Sequence, residues 1–262
     1  MAFDPAQLIN WLVQFMLPFV RIGAFLMVVP VFGNQLVAIR VRLLLAFATA
    51  LLVAPLIDNV LPAIVLPDPL SLQMVLLVIE QIMIGAVLGF LVQVFFHIFV
   101  MAGQMIAMQM GLGFASMIDP TNGVSVAVVS QFYVLLVTLL FLAFNGHLVI
   151  FEVAIQGFAL LPIGGGGFHP SAIYSLAAAG GWMMSSALLL ALPAVTAILI
   201  VNFAFGVMTR AAPQLNIFSL GFPFTLVFGI FILWVALAGF LPQYQQLSEA
   251  VFIRLNEMLR MG

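Results

Sequence analysis

Neither cysteine nor lysine occurs anywhere in these 262 residues. Without cysteine there are no disulfides, thiolate nucleophiles or zinc-thiolate sites, and without lysine there is no Schiff-base chemistry. Charge is scarce as well, with six arginines against eight carboxylates leaving a formal charge of −2. That balance argues against nucleic acid as a partner, because phosphate binding needs a basic face. Motifs of catalysis are missing: there is no HExxH, GxSxG, P-loop or GxGxxG, and no plausible Ser/His/Asp set. His97, His147 and His169 lie in different elements, and Gly164 to Gly167 lacks the Lys-Ser/Thr that would make it a phosphate loop, so Phe168-His169-Pro170 reads as a periplasmic turn. No enzyme activity, cofactor, metal or nucleotide is expected, and any energy must come from partners or the proton gradient.

What the chain has is apolar surface. With 66% hydrophobic residues and 5% charged, and a mean hydropathy of +1.34, it lies far from the roughly 45–50% apolar and 25% charged of soluble domains. It reads as an integral membrane protein in contact with lipid. Met1 to Asn10 has no basic n-region and carries Asp4, so the first apolar run is expected to be retained.

Six apolar stretches stand out: Leu8 to Phe32, Leu43 to Val65, Leu70 to Met110, Val124 to Leu161, Ala172 to Met208 and Ile217 to Leu241. Each is near or above the roughly 20 residues that cross about 30 Å of hydrocarbon. Helical throughout, the third would measure roughly 60 Å at about 1.5 Å per residue, so it must bend, fold back or extend beyond the lipid. The fourth and fifth are over-long too. The fold class expected is all-α, a polytopic membrane protein of helical hairpins with about six long apolar segments, several bent or broken, built for a helical multi-subunit assembly. The tail from Gln243 to Arg260 resembles an amphipathic helix bearing Glu249, Arg254 and Glu257. Arg40 and Arg42 in the first loop and Arg210 in the fifth place those loops in the cytoplasm, while Asp58 and Asp68 mark the second loop. Six crossings would put both termini in the periplasm, and Arg254 and Arg260 in the tail count against that.

Arg21, Glu80 and Glu152 sit inside apolar stretches, where a charge at mid-membrane costs about 2.5 to 3.5 kcal/mol on insertion scales. They must face protein or water, as the lining of a conduit, as an intersubunit salt bridge, or as helix-end residues reaching the interface. Gln93, His97 and Gln104 are spaced i, i+4 and i+11, within about 40° of one another on a helix. Gly85 and Gly89 form a small-xxx-small motif bordering the same face, and together they describe a surface that packs on another helix. His97 has no second ligand at metal spacing.

Two segments carry the functional expectation. Met101, Met105, Met108, Met110 and Met117 surround Gly111, Leu112, Gly113, Phe114, Ala115 and Ser116. Methionine adapts to shapes that change and glycine frees the backbone, so Met110 to Met117 reads either as a deformable plug in a pore or as core packing followed by a glycine-rich connection. The second is Arg210 to Pro223, dense in groups that hydrocarbon does not tolerate: Arg210, Pro213, Gln214, Asn216 and Pro223, with Phe218 among them. Pro213 and Pro223 are expected to end helices.

The string Ala212-Pro213-Gln214-Leu215-Asn216-Ile217-Phe218-Ser219-Leu220-Gly221-Phe222-Pro223 resembles the signature of the FliR family, the R subunit of the flagellar type III export gate. The Arg40/Arg42 loop and the glycine-rich segment before Asp119-Pro120 extend that resemblance over essentially the full chain. It implies a subunit that joins P and Q subunits in a closed helical cone in the bacterial inner membrane, at the flagellar basal body. Residues 1–171 would be P-subunit-like hairpins and 172–262 a Q-subunit-like hairpin with a tail. Unfolded flagellar export substrates would pass through the cone, with Met110 to Met117 as the plug. FlhB and FlhA would dock at the cytoplasmic face, FlhB on the Arg210 to Pro223 turn. The injectisome counterpart, and a small-molecule or ion secondary transporter using Glu80 and Glu152, are the alternatives; the transporter would be expected to show internal repeats, and none is clear.

Overall fold

The computed structural model describes residues 5–34, 37–60, 71–112, 127–211 and 217–261. These form α1 (Pro5–Val28), a short α2 (Pro30–Gly33), α3 (Ile39–Val60), α4 (Leu72–Gln109), α5 (Val128–Ala143), α6 (Gly146–Leu160), α7 (Pro170–Ala211), α8 (Ile217–Ala236), a 3-10 turn (Leu237–Gly239) and α9 (Phe240–Arg260). No strand occurs among the described residues. The all-α membrane class stands.

The expected count of six spans does not. Among the described residues three helices are long and apolar enough to cross a membrane, Leu72–Gln109, Pro170–Met208 and Pro223–Arg260, or four if one bent pair is a single span. Three of the stretches depart from simple crossings for local reasons. In the first stretch α1 runs 24 residues from Pro5 to Val28 and gives way at Pro30 to a new turn of helix. In the fourth, α5 and α6 meet at a 71° bend, where Asn145 adopts φ 57°, a left-handed conformation that asparagine accepts better than most residues. At 16 and 15 residues the two arms measure about 24 and 22 Å, short of a bilayer singly. In the sixth, the residues flanking the 3-10 turn keep helical dihedrals, Ala236 at φ −64°, ψ −25° and Phe240 at φ −68°, ψ −42°, so the chain runs on into α9 instead of stopping near Leu241. The third stretch neither breaks nor folds back: α4 is one continuous helix of 38 residues, about 57 Å long.

The amphipathic tail is present. Phe240, Tyr244, Val251, Leu255, Met258 and Leu259 of α9 are buried at helical spacing, while Glu249, Glu257 and Arg260 are exposed.

The chain divides into two compact units. The first draws on Met1–Val94, Phe141–Ala179 and Val251–Gly262. Its core includes Phe25, Leu26, Val29, Ala50, Ile84, Leu88 and Phe158, and α1 meets α3 through the rings of Phe15 and Phe47, 5.1 Å apart. Gly85 and Gly89 seat α4 directly on α1. A Cβ at Gly85 would stand 2.2 Å from the Arg21 carbonyl, and one at Gly89 would stand 2.8 Å from Val28 Cβ, so the small-residue motif is a helix–helix contact within the chain. The second unit draws on Phe95–Leu140 and Gly180–Ala250. An aromatic cluster ties α4, α5 and the start of α9 there, with Phe95 to Tyr244 at 5.7 Å, Phe99 to Phe240 at 5.6 Å and Tyr133 to Phe240 at 5.3 Å.

Candidate functional site

The end of α4 brings the sequence expectation and the geometry together. A helix leaves its last carbonyls without intrahelical donors, and in an apolar setting each must find one. The Met110 N–H reaches the Ile106 carbonyl at 3.0 Å, the Gly111 N–H reaches Met108 at 3.1 Å, and the Leu112 N–H reaches Ala107 at 3.0 Å. Crossed bonds of this kind define a Schellman termination, which needs a left-handed residue just past the cap. Gly111 supplies it with φ 84°, at no steric cost because it has no Cβ. The fourth carbonyl, that of Gln109, accepts from Asn202 Nδ2 of α7 at 3.2 Å. Of the expected plug residues, Met110 is buried at 1% exposure and Gly111 and Leu112 are half-buried; Gly113, Phe114, Ala115, Ser116 and Met117 lie outside the described residues. Met110 lies along α8 at Gly229, where an added Cβ would meet its Cγ at 2.6 Å, its Cε at 2.7 Å and its Sδ at 3.0 Å.

Of the turn expected from Arg210 to Pro223, Arg210 is exposed in the last turn of α7, and Pro213, Gln214 and Asn216 lie outside the described residues. Phe218 falls within α8. Pro223 does not end a helix: it is exposed inside α8, which starts six positions earlier at Ile217. Apolar helices carry an internal proline because neighbouring groups re-satisfy the carbonyl it leaves free.

The intramembrane charges part company. Arg21 is 2% exposed and is held inside its own unit. Its Nη1 donates to the Leu161 carbonyl at 2.8 Å, its Nη2 donates to the Gly157 carbonyl at 2.7 Å, and the guanidinium lies 4.3 Å from the centre of the Phe158 ring. These carbonyls close α6, so a cation sits at the negative end of that helix. Glu80 interacts with Arg21 and accepts from the Gly167 backbone, although its Oε1 and the Arg21 Nε are buried without partners. Gly167, Gly164 and Gly166 have φ of 72°, 79° and 93°, so the four-glycine run is a tight connection that lets the backbone approach Glu80. Glu152 is exposed on α6 and accepts from Gln156 at 3.0 Å.

The amides separate too. Gln104 Oε1 accepts from the Ala127 N–H at 3.3 Å and from Ser130 Oγ at 3.4 Å, holding the start of α5 where Ser130 also donates to the Val100 carbonyl at 2.9 Å. Gln93 is half-buried and His97 exposed on α4. Among the described residues no three His, Cys, Asp or Glu side chains gather as a metal site would require.

Asn202, Gly229, Ser130 and Phe158 escape the reading of the sequence. Asn202 is the one amide in the stretch from Ala172 to Met208, a signal of the kind that marked Gln93 and Gln104. Gly229 and Phe158 carry none, since each takes its meaning from a side chain far away along the chain.

Residues 12–251 match the family model described as bacterial export proteins, family 1. The chain is similar to the flagellar biosynthetic protein FliR of Pectobacterium carotovorum subsp. carotovorum, at 40% identity over 260 residues, covering 99% of this chain and 97% of that protein. It is 36% identical over 253 residues to FliR of Escherichia coli K12, with 97% and 95% covered. It is 27% identical over 240 residues to FliR of Bacillus subtilis 168, with 88% and 89% covered. Matches of this extent, spanning both of the compact units and every helix, place the chain in the FliR family of the flagellar export gate.

Proposed function

We propose that this chain is a structural and gating subunit of the flagellar type III export gate, joining P and Q subunits in the inner membrane to form the channel for unfolded flagellar proteins. Residues 1–171 act as the P-like part and 172–262 as the Q-like part. Gly113 to Met117, with Gly111 and Leu112 as their root, obstruct the closed channel. FlhA and FlhB meet the assembly at its cytoplasmic face, FlhB on the segment around Pro213, Gln214 and Asn216.

The observation that carries the reading is the way α4 stops. A helix of 38 residues terminates at Gly111 with each of its last carbonyls hydrogen-bonded, at the point in the sequence where the glycine- and methionine-rich segment begins. Support comes also from surface that only lipid or other subunits can cover: Leu188, Leu189, Leu192, Leu199, Ile200 and Phe203 are all exposed along α7.

Deleting Gly113 to Met117, coexpressed with tagged P and Q subunits, tests the role. The α4 termination is left intact, so the complex should still copurify, and the membrane should become leaky to ions. A complex that assembles and stays as tight as the parent would reduce the segment to a connection and overturn the gating role. Failure of the intact chain to copurify with P and Q would overturn the assembly role.

A further inference from the structure

The start of α7 and the end of α9 enclose a cavity of about 120 Å³, lined by Tyr174 and Ser175 of α7, Arg254, Glu257 and Met258 of α9, and Leu91 of α4. All six belong to the first compact unit. The cavity has an apolar floor, with Leu91 and Met258 each 2% exposed, and a charged rim, with Arg254 half-buried and Glu257 exposed. Three residues apart on one helix, those two charges share a face. Ser175 adds an acceptor: its hydroxyl proton is spent on the Ser171 carbonyl at 3.0 Å or on Met261 Sδ at 3.7 Å, so it offers the cavity a lone pair.

This donor and acceptor set is selective. An anion alone would be attracted by Arg254 and repelled by Glu257, and a cation alone would meet the reverse. A molecule with an anionic group and an ammonium a few atoms apart satisfies both, and only an ammonium with N–H groups can also use the Ser175 oxygen. The cavity's place in the fold supplies the rest. Tyr174 lies near the start of Pro170–Met208 and Arg254 and Glu257 near the end of Pro223–Arg260, two helices long and apolar enough to cross a membrane. Next to the cavity Ile173 is 61% and Tyr174 77% exposed, an apolar surface beside a charged rim, as at the boundary between hydrocarbon and water.

We propose that this cavity binds the headgroup of a phospholipid carrying a phosphate and a primary ammonium, the chemistry of phosphatidylethanolamine. Arg254 holds the phosphate, Glu257 and Ser175 accept from the ammonium, and the acyl chains leave along Ile173 and the Tyr174 ring. The lipid ties the first turns of α7 to the last turns of α9. This site is independent of the gating role.

The test uses the chain purified from membranes in mild detergent with the partners it keeps, stripped of lipid. Phosphatidylethanolamine, phosphatidylcholine and phosphatidylglycerol of equal chain length are then titrated in, with native mass spectrometry counting bound lipid and melting reading stabilisation. Phosphatidylethanolamine should bind about tenfold more tightly than phosphatidylcholine, which has no N–H, and than phosphatidylglycerol, which has no cation. Glu257→Gln should bring phosphatidylethanolamine down toward phosphatidylcholine while leaving phosphatidylcholine unchanged. Arg254→Gln should weaken both by about tenfold, since both carry the phosphate. Equal binding of the three lipids, tightest binding of phosphatidylglycerol, or a preference that survives Glu257→Gln overturns the proposal. Glycerophosphoethanolamine, the same headgroup without chains, should stabilise the protein far less; equal stabilisation by it overturns the assignment to lipid. Should Arg254→Gln not survive purification, Glu257→Gln at its exposed position decides, because the ratio of the two affinities is not moved by a general loss of stability.

Discussion

Replacing Arg21 by methionine keeps the unbranched stem and removes the guanidinium. Two charge-assisted hydrogen bonds are lost, at 2.8 Å to Leu161 and 2.7 Å to Gly157, together with the stacking on Phe158 at 4.3 Å. The Gly157 carbonyl still receives the Leu161 N–H at 2.9 Å, so the damage falls on the Leu161 carbonyl and on Glu80, which loses its countercharge. Hydrogen bonds to charged groups are each worth about 1.5–3 kcal/mol. These figures describe the same charge and do not add. Polar contacts measured in membranes are weaker, about 0.6 kcal/mol on average, so a net loss of about 3 kcal/mol is expected. For a chain of this size each kcal/mol shifts the midpoint by roughly 2–4 °C, which puts the Arg21→Met complex about 6–12 °C below the parent. Fluorescence-detected size exclusion after heating reads that shift. Arg21→Lys should fall between the two, because an ammonium keeps the charge without the fork that spans both carbonyls. Adding Glu80→Gln to Arg21→Met should return about 1 kcal/mol, since it removes the stranded charge. A single variant within about 2 °C of the parent, or a double variant no more stable than the single, would refute this account of the buried cation.

At the contact of α4 with α1, Gly85→Ala should destabilise more than Gly89→Ala, because its Cβ would meet backbone at 2.2 Å whereas that of Gly89 first meets a side chain at 2.8 Å. Overpacking of this kind costs about 1–3 kcal/mol. Gly23→Ala, whose Cβ has nothing within 4 Å, is the control in the same melting assay and should be neutral or slightly stabilising. The chain has no native cysteine, so Val41→Cys, His169→Cys and Ala211→Cys can be labelled in intact cells without background. Impermeant maleimide should reach His169→Cys from the periplasm and neither of the others; labelling of Ala211→Cys from that side would overturn the orientation drawn from Arg40, Arg42 and Arg210.

Composition and periodicity reveal what one helix does on its own. The membrane class, the amphipathic α9 and the packing role of Gly85 and Gly89 all follow from residues near one another in the chain, and all are present. Breaks and partners follow from distant residues. Pro223 looks like a stop and is carried inside α8, because an apolar helix is too costly to unwind for one missing hydrogen bond. Asn145 looks like any polar residue in a loop, yet its left-handed backbone turns one long apolar stretch through 71°. The charge at Arg21 is visible at once in the sequence; its partners are carbonyls, which every residue has and no sequence pattern distinguishes. Gln104 is similarly conspicuous, while its answering groups, the Ala127 N–H and Ser130 Oγ, are not. Pattern therefore marks the polar group that needs satisfying and leaves open what satisfies it.

The buried cation also sets a timetable. Arg21 lies 136 residues ahead of Gly157 and 140 ahead of Leu161, and at about 5–20 residues per second of synthesis it leaves the ribosome roughly 7–28 s before either acceptor exists. Through that interval α1 carries an unmatched guanidinium whose insertion penalty of about 2.5–3.5 kcal/mol corresponds to roughly a 60- to 300-fold bias against residence at mid-membrane. α1 is thus seated late, when the end of α6 arrives to receive Arg21.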